Sequence, residues 1–453
     1  MVSRPADQFA ERRFRLGLGA LALLGAIGRF LHLVLSKVDE GSLLEQGDAF
    51  WYGSTAWNLA EGEFFRNYFT GEATADHPPL TSLVLAPAAL LGDESTWALR
   101  LTMVALGTAT IVVIGLAGRA LAGRRAGLVA AATATLMPAL WTNDVLLMAE
   151  TPAALLIAGT IWAGIVLAQR STTGPAVLAG ALCGLAALTR AELGLLLPFM
   201  VWPILVVARD LAWRRKLALG AAATAATVAV IAPWTLVNQT RFAEPVLIST
   251  NDGITLAGAN CDANYAGSGL GGWSVDPCVI EAYARIEADK PAGPASGRDT
   301  ASACSDPLQT KPPCLDASQV SKELRAQGVS YVAAHLTDLP RVVLARNGLV
   351  WGFYRMDRSL DAAPGEGRQA WSTALAFGVA WLLIPVSVAG LVVLRRREVS
   401  LIPLLAPLAV VLVTTSAFSG IAPRFRLPWD VASCLLVGVT ITSILDRARR
   451  PAG

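Results

Sequence analysis

Long apolar segments alternate with short basic clusters along the chain, and this pattern limits what the chain can fold into. A membrane crossing needs roughly 20 apolar residues. About ten segments qualify as crossings, at residues 15–36, 97–119, 125–142, 150–169, 175–189, 191–208, 217–237, 370–394, 399–417 and 427–446. With 54% hydrophobic and only 16% charged residues, the chain is too apolar for one water-soluble core. The sequence therefore predicts an all-α polytopic membrane protein.

Clusters of Arg and Lys between these segments set the orientation of the chain. Basic residues are retained on the cytoplasmic side of a membrane. The clusters lie at Arg119–Arg125, Arg170, Arg209–Lys216, Arg395–Arg397 and Arg447–Arg450. The predicted crossings place all of them on one side. The chain then divides into an N-terminal membrane module, an extracytoplasmic insertion and C-terminal membrane helices, at residues 1–237 (with an outer first loop, 37–96), 238–369 and 370–453.

Two apolar stretches are too short for ordinary crossings. Pro175–Ala208 would be about 51 Å long as a helix, less than the ~60 Å that two full crossings need. A single crossing would leave Arg170 and the cluster at Arg209 on opposite sides, so we expect two short helices with an outer turn at Thr189–Glu192. Leu80–Leu91 is too short to cross, and we expect it to form a juxtamembrane or re-entrant helix on the outer side.

The insertion at residues 238–369 is hydrophilic, and we expect it to form an α+β domain outside the membrane. Four of the six cysteines of the chain lie in it: Cys261, Cys278, Cys304 and Cys314. An even number of cysteines in an oxidising compartment predicts two disulfides, for which three connectivities are open. We favour the nearest neighbours, Cys261 with Cys278 and Cys304 with Cys314. Four free thiols are the alternative.

An acidic residue at the membrane surface begins the first outer segment of interest. Asp48 follows Gly47 and precedes Phe50, Trp51 and Tyr52. A carboxylate beside lipid is costly and marks a functional site by default, and the aromatic residues fit the membrane interface. The alternative interpretation is a helix N-cap, because Asp accepts hydrogen bonds from the first backbone N–H groups. The two interpretations carry equal weight and are compatible.

The second outer loop, residues 141–151, holds two more acids, Asp144 and Glu150. Glu150 begins a predicted helix, where a negative charge is stabilising by roughly 0.3 to 1 kcal/mol, so locally the structural interpretation of Glu150 is favoured. Arg100 and Arg190 lie at the outer ends of predicted helices. Each alone is expected to reach toward lipid headgroups.

The last outer loop, Gly420–Pro428, contains Arg424 and Arg426. Positive charge is disfavoured on short translocated loops, so two Arg retained there indicate an anionic ligand. Guanidinium groups bind phosphate through paired, charge-assisted hydrogen bonds. The loop therefore predicts a phosphate site at the bilayer surface, with ordinary anionic headgroups as the alternative.

Other chemistries have little support in the sequence. The chain has only three His, none close to another, so a metal site built on His77 is not predicted. The carboxylates of Asp48 and Glu150 are the type that holds a divalent cation, and this alternative stays open. No Gly-rich phosphate loop is present, which argues against a soluble nucleotide donor. The basic clusters lie between apolar segments, which argues against nucleic acid as a partner.

Several of these motifs, in this order, resemble the GT-C superfamily of polyprenyl-phosphate-sugar-dependent glycosyltransferases, in its branch with protein O-mannosyltransferases and aminoarabinose transferases. In that branch an acid precedes an aromatic in the first outer loop, as Asp48 does here, and a second acid precedes the fourth crossing, as Glu150 does. The other matching motifs are His77–Leu80, Trp97–Leu101, Gly123–Arg125, Leu188–Arg190 and the loop around Arg424. The resemblance covers residues 40–195 best.

The resemblance implies an inverting transfer of a sugar from a polyprenyl-phosphate donor to an acceptor hydroxyl at the outer face of a bacterial plasma membrane. Asp48 would take the hydroxyl proton, and Glu150 would orient the acceptor, position Asp48 or share a metal. Protein mannosyltransferases usually have an acidic pair where this chain has Asp48 alone. The acceptor class therefore stays open among glycan, lipid and protein.

The resemblance also implies roles for the remaining candidates. Those for the donor phosphate are Arg424 and Arg426 first, with Arg100 and Arg190 behind them. Those that would shape the substrate site are Asp76, His77, Trp51, Tyr52 and Asp144.

Three alternatives remain at the level of sequence. One is a transporter or flippase for a lipid-linked substrate, although the internal symmetry common in transporters is not evident. Another is a receptor whose insertion binds a partner. The third is a glycan ligase or polymerase that uses a lipid diphosphate donor.

Overall fold

The computed structural model describes residues 5–36, 47–92, 96–289, 315–418 and 423–449, and helices dominate throughout. Numbered in chain order, the helices are α1 Pro5–Ser36, α2 Asp48–Ala60, α3 Leu80–Ala89, α4 Trp97–Ala122, α5 Arg124–Leu136, α6 Pro138–Trp141, α7 Glu150–Arg170, α8 Thr173–Ala187, α9 Trp202–Val207, α10 Trp213–Arg241, α11 Asn251–Ala259, α12 Asp262–Tyr265, α13 Ile280–Asp289, α14 Ala317–Ala334, α15 Leu339–Trp351, α16 Met356–Ala362, α17 Ala370–Arg396, α18 Ile402–Ala417 and α19 Leu427–Ala448.

The predicted all-α polytopic fold is confirmed. Within the described residues, six helices are long and apolar enough to cross a membrane: Asp7–Ser36, Trp97–Ala122, Glu150–Arg170, Trp213–Arg241, Ala370–Arg396 and Pro423–Ala448. Shorter apolar helices lie at Leu80–Ala89, Thr173–Ala187, Ala191–Val207 and Ile402–Ala417. Each of the predicted crossings contains helical structure.

Two predicted crossings are less regular than expected. Helix α5 ends at Leu136, and Met137 is extended with ψ 111° before α6 begins at Pro138, because a residue before proline is disfavoured in the helical region. The segment predicted at residues 191–208 begins as a 3₁₀ turn and passes through one wide turn containing Pro198 before α9 starts. A turn is present at the predicted position, Thr189–Glu192, since α8 ends at Ala187; its outer location stays a prediction.

Helix α19 lies at the centre of the bundle, where 89% of its most apolar 18-residue window is buried. It packs against α5 and α17. Small residues permit the close approach: a Cβ atom at Gly438 would lie 2.5 Å from the carbonyl oxygen of Ala126 on α5. Such small-residue contacts are typical of helices that associate in lipid.

One end of the bundle carries ion pairs between basic and acidic residues of different helices. Glu11 accepts hydrogen bonds from Arg119 and Arg124, and Arg125 pairs with Asp446 at 2.9 Å. These contacts bring the predicted cytoplasmic cluster at Arg119–Arg125 together with the start of α1 and the end of α19. Helices α7 and α19 begin at the opposite end.

The first outer loop is fixed to that opposite end through α2 and α3. The Ser82 hydroxyl on α3 donates to the carbonyl of Tyr52 on α2 at 3.1 Å. The backbone N–H of Leu80 donates to the carbonyl of Leu188, just after α8, at 2.9 Å. The short helix predicted at residues 80–91 is therefore present, and it holds the preceding turn against the bundle.

The described part of the insertion consists of helices, so its predicted α+β character is not observed there. The only isolated β-bridge among the described residues joins Arg66 and Ala73, which lie outside the insertion. Local capping explains the helical outcome at α14, where Asp316 accepts from the backbone of Ser318 and Gln319 and forms a capping box. Residues rich in Ala, Glu, Gln and Arg follow, and these favour helices.

Cys261 and Cys278 form the predicted disulfide of the insertion. The predicted partner bridge between Cys304 and Cys314 lies outside the described residues. The two membrane cysteines, Cys183 and Cys434, are buried and free.

Arg346 on α15 ties the insertion to the membrane bundle. Its side chain is almost completely buried, with 1% relative exposure. It donates to the carbonyls of Ser416 at the end of α18 and of Ala259 at the end of α11. The insertion therefore sits on the same end of the bundle as the first outer loop.

Candidate active site

Asp48 occupies the first turn of α2, and Gly47 is the N-cap residue with φ 57°. No side-chain capping bond forms at this helix start, so the N-cap interpretation of Asp48 is wrong. The carboxylate instead accepts from Arg424, whose Nη1 lies 2.8 Å from Asp48 Oδ2. The Asp48 side chain keeps 36% exposure, which leaves it accessible to a substrate.

Arg424 stands at the centre of a cluster of carboxylates. It lies in the 3₁₀ turn Pro423–Arg426 immediately before α19. Besides Asp48, it contacts Glu366 with 3.1 Å between Nη2 and Oε1, and Glu150 with 3.7 Å between Nη1 and Oε1. Three parts of the chain far apart in sequence thus meet on one guanidinium group.

A second guanidinium group supports the buried end of the cluster. Arg190 Nη1 lies 2.5 Å from Glu150 Oε1, and its Nε donates to Glu192 at 2.7 Å. Glu150 has 1% side-chain exposure at the start of α7. The Phe425 ring lies beside both Arg190 and Arg424, with the guanidinium carbons 5.1 and 5.2 Å from its centroid, which restrains the two cations together.

His77 lies on the other side of Asp48. Its Nε2 is 3.5 Å from Asp48 Oδ1, and its ring packs edge-on to Tyr52 with 4.9 Å between centroids. Burial by itself would raise the pKa of Asp48, yet the charge of Arg424 and the nearby His77 hold that pKa well below its usual value. Burial raises the pKa of Tyr52 well above its usual value. Asp48 is therefore ionised and Tyr52 neutral around pH 7.

Two cavities flank the cluster. The first is a small cleft lined by charged residues, among them Arg190, Glu192 and Arg424, and by apolar residues, among them Ile157, Val410 and Val411. The second is also small and is lined mainly by polar residues, including Trp51, Thr55, Thr74, Asp76, His77 and Ser82.

Among the described residues, two buried polar atoms at the cluster have no hydrogen-bond partner, Glu150 Oε2 and Arg424 Nε, and His77 Nε2 has only the long contact of 3.5 Å with Asp48. Unsatisfied buried polar atoms are uncommon in native proteins. Their concentration at one place indicates where a ligand completes the hydrogen bonding.

Other predicted site residues take part in separate contacts. Arg426 is fully buried and pairs with Asp430 at 3.0 Å, while its Nη atoms donate to the Val350 and Ala376 carbonyls. The structure therefore does not bring Arg426 to the cluster. Its neighbour Arg424 does reach it.

Of the remaining candidates, Arg100 and Asp144 make contacts elsewhere, whereas Asp76 and Trp51 lie close to the cluster. Arg100 is buried and donates to the Val145 carbonyl at 2.7 Å, and Asp144 pairs with Arg29 at 2.6 Å. Neither reaches the cluster by these contacts. Asp76 and Trp51 line the second cavity, where Asp76 accepts from the Thr250 hydroxyl at 3.1 Å.

Glu366 and Arg368 belong to the cluster and were not predicted from the sequence. Both lie in the short loop between α16 and α17. A signal was present, since two charged residues directly before an apolar helix indicate a specific partner. Nothing in the sequence connects that loop with Arg424.

The carboxylates do not fit a metal in this arrangement. The guanidinium group of Arg424 lies between Asp48 and Glu150, at the place where a shared cation would sit. Within the part of the chain that is described, no group of three or more His, Cys, Asp or Glu side chains has the spacing to hold a metal ion. The positive charge at this site is supplied by Arg.

Part of the chain is similar in sequence to a known protein family. A family model described as dolichyl-phosphate-mannose-protein mannosyltransferase matches residues 76–236, a little over a third of the chain, which includes Glu150 and Arg190 and excludes Asp48 and Arg424. A sequence comparison with curated proteins finds no significant match.

Solved structures match over nearly the whole chain. The apo oligosaccharyltransferase of Archaeoglobus fulgidus matches with a TM-score of 0.54 and 14% identity, over 96% of this chain and 51% of that one. The oligosaccharyltransferase AglB from the same organism, in complex with an inhibitory peptide and a dolichol-phosphate, matches with a TM-score of 0.51 and 14% identity, over 97% and 51% of the two chains. The present chain thus spans about half the length of the archaeal proteins. The structural matches agree with the predicted GT-C-like fold, and the family match agrees with the prediction of a glycosyltransferase.

Proposed function

We propose that the chain transfers a sugar from a polyprenyl-phosphate donor to a hydroxyl acceptor, with inversion at the anomeric carbon, on the extracytoplasmic face of a bacterial plasma membrane. The observation that carries the proposal is the pairing of Asp48 with Arg424, with Glu150 within 3.7 Å of the same guanidinium group. A base and a phosphate-binding cation are thereby placed side by side. Both lie at the end of the bundle opposite the basic clusters.

In this reaction Asp48 accepts the proton of the acceptor hydroxyl while the hydroxyl oxygen bonds to the anomeric carbon of the donor. The bond between that carbon and the phosphate oxygen breaks, and the lipid phosphate leaves with the electron pair. General-base catalysis of this kind contributes about 10²- to 10⁴-fold. Arg424 and Arg190 stabilise the negative charge that grows on the leaving phosphate, which is worth more in a water-poor cleft.

Asp48 is ionised, as a general base must be, and donor binding is expected to make it more basic. In the absence of donor, Arg424 depresses the pKa of Asp48, so the carboxylate is ionised but weakly basic. When a donor phosphate binds Arg424, part of the guanidinium charge is compensated by that phosphate. The pKa of Asp48 then rises, and the carboxylate becomes a better base once the donor is in place.

The residues that line the first cavity suit a lipid-phosphate donor. Arg190 and Arg424 provide charge at one end, and Ile157, Val410 and Val411 provide apolar walls beside it. A phosphate on an isoprenoid chain combines the same two properties. The matched archaeal structure contains a dolichol-phosphate, and the matching family model is named for a dolichyl-phosphate-linked donor, which supports this class of ligand.

Glu150 has a supporting role in the proposal. It fixes Arg190 at 2.5 Å and leaves Oε2 without a partner. That oxygen is free to accept a hydrogen bond from a sugar hydroxyl of either substrate. Glu150 therefore positions the cations and orients the substrate, while the proton transfer belongs to Asp48.

The test is the chemistry of the lipid fraction in a strain that lacks the gene. Mass spectrometry of lipid extracts should show one polyprenyl-phosphate-linked sugar accumulating, together with loss of that sugar from an envelope glycan, lipid or protein. Restoring the wild-type gene should reverse both changes, whereas Asp48→Asn should not. An unchanged pool of polyprenyl-phosphate sugars, with a lipid diphosphate-linked glycan accumulating instead, would contradict the proposal.

A further inference from the structure

Glu366 has two guanidinium partners in the cluster, one for each carboxylate oxygen. Its Oε1 lies 3.1 Å from Nη2 of Arg424, and its Oε2 is in close contact with Nη1 of Arg368. The residue comes from the loop that joins the insertion to α17, and its side chain keeps 21% exposure. One carboxylate thus connects the end of the insertion with the guanidinium group assigned to the donor phosphate.

Arg368 is firmly held, and Glu366 lies in a short turn beside it. Arg368 has 4% side-chain exposure, and its Nε and Nη2 donate to Asn143 Oδ1 at 3.1 and 2.8 Å. Gly365 and Gly367 flank Glu366, and Gly367 has a φ of 72°, a conformation suited to glycine. If Glu366 releases Arg424, it therefore keeps Arg368 as a partner, and no carboxylate is left unpaired.

Carboxylates outnumber guanidinium groups in the cluster. The ion-paired carboxylates are Asp48, Glu150, Glu192 and Glu366, and the guanidinium groups are Arg190, Arg368 and Arg424. Four negative groups thus face three positive ones. An entering phosphate is therefore repelled by the surplus carboxylate charge, and displacement of a carboxylate from Arg424 relieves that repulsion.

Glu366 is the carboxylate best placed to be displaced. Asp48 and Glu150 have roles in the proposed reaction, and Glu192 is bound to Arg190 through Nε without contacting Arg424. Glu366 alone combines contact with Arg424, a second cation partner and a loop position. Its carboxylate oxygen accepts from Arg424 Nη2 the same kind of charge-assisted hydrogen bond that a phosphate oxygen would accept.

We propose, on the basis of the proposed function, that Glu366 holds the place of the donor phosphate on Arg424 and is exchanged for it when the donor binds. The exchange replaces one negative charge with another, because a lipid phosphodiester carries a single negative charge. A lipid diphosphate brings additional charge, which Asp48 and Glu150 then oppose. Glu366 is thus a specificity-determining residue that favours monophosphate-linked donors and couples the insertion to the site.

The experiment measures binding of two probes to the purified full-length chain in nanodiscs at fixed ionic strength. The probes are undecaprenyl methyl phosphate, a phosphodiester with a methyl group in place of the sugar, and undecaprenyl diphosphate. Glu366→Gln should tighten binding of the phosphodiester roughly tenfold. The reason is that the Glu366 carboxylate no longer competes with the phosphate for one charge-assisted hydrogen bond to Arg424. It should tighten binding of the diphosphate by a larger factor, because a greater charge is relieved of repulsion.

Matched variants separate the specific effect from general charge and from misfolding. Asp357→Asn removes the same charge from the same segment of the insertion, where Asp357 pairs with Arg355 away from Arg424, and should leave both affinities unchanged. Glu366→Asp keeps the charge and shortens the side chain by one methylene group. It should tighten phosphodiester binding in the same direction as Glu366→Gln and by less, which preserves the test if the Gln variant is unstable.

The outcomes distinguish this inference from the proposed function. If Arg424→Gln weakens phosphodiester binding while Glu366→Gln and Glu366→Asp leave it unchanged or weaken it, the exchange is wrong and the phosphate role of Arg424 stands. If Arg424→Gln has no effect on either probe, the phosphate role itself fails. If Asp357→Asn tightened binding as much as Glu366→Gln, the effect would come from the overall charge of the protein. The proposed exchange at Glu366 would then be wrong.

Discussion

Arg424 Nη1 lies 2.8 Å from Asp48 Oδ2, although the two residues are 376 positions apart in the chain. The contact joins the first outer loop to the last one. It also couples the two proposed steps, because Arg424, the proposed phosphate-binding group, controls the basicity of Asp48, the proposed base. Asp48 and Arg424 are therefore expected to behave as one unit when either is changed.

The pH dependence of stability should report this coupling. The folded-state pKa of Asp48 is lowered, so the pair contributes stability that is fully present above the ordinary Asp value of about 4 and is lost as the pH falls through the folded-state pKa. The difference in unfolding free energy between wild type and Asp48→Asn should be constant from pH 7 to about 4 and shrink below it. Chemical unfolding of the detergent-solubilised chain measures this. A difference that already declines at pH 6 would mean that the pKa of Asp48 is raised.

Arg424 and Arg426 should differ when each is replaced with Gln. Arg424→Gln should weaken binding of a lipid phosphodiester by at least tenfold, since it removes a charge-assisted phosphate contact worth about 1.5 to 3 kcal/mol. Arg426→Gln leaves Asp430 as an unpaired buried carboxylate, and it should lower the unfolding free energy by about 3 kcal/mol with little change in the affinity of the folded protein. Calorimetry and unfolding on the same preparations separate the two effects. The opposite pattern would exchange the roles of the two residues.

Glu150 and Arg190 should be strongly coupled energetically. Their side-chain atoms are 2.5 Å apart, and Glu150 has 1% exposure, so replacing one partner leaves the other poorly paired. A double-mutant cycle with Glu150→Gln and Arg190→Gln should give a coupling energy of about 1 to 3 kcal/mol in unfolding. The pair Asp357 and Arg355, which is exposed, serves as a control and should give less than about 1 kcal/mol. Similar values for the two pairs would contradict the buried geometry.

The Cys261–Cys278 disulfide should stabilise the insertion. It closes a loop with a sequence separation of 17, for which loop entropy predicts about 3 kcal/mol. Reduction, or replacement of both cysteines with Ser, should lower the unfolding temperature of the insertion without affecting lipid-phosphate binding. Cys183→Ala and Cys434→Ala, at buried free thiols, should remove none of the response to reductant. An unfolding temperature that reductant does not change would argue against a stabilising role of the bridge.

Hydropathy was sufficient to predict the six long apolar helices, because burial in lipid imposes a long apolar run that single residues cannot conceal. The break at Met137–Pro138 was less accessible, since a proline near a helix end permits either a kink or a stop. The capping interpretation of Asp48 failed because Gly47 takes the N-cap position. That outcome depends on a backbone angle that the local sequence leaves open.

The site itself was only partly predictable, because its contacts join segments that are far apart in the chain. Asp48 and Glu150 stood out as acids at predicted membrane surfaces. Arg424 and Arg426 looked equivalent, although Asp430 at the fourth position after Arg426 was a local sign of an ion pair. The part played by Glu366 depends on how the end of the insertion returns to Arg424, which tertiary packing decides.

The most direct test of the central claim is the single-turnover rate of sugar transfer by Asp48→Asn, measured with the purified full-length chain and the donor identified from the gene-deletion strain. The amide keeps the size of the side chain and removes the base. We predict a rate at least about 100-fold below that of the wild type, with binding of undecaprenyl methyl phosphate retained. A rate within a few-fold of the wild type would show that Asp48 does not remove the proton and would contradict the proposed mechanism.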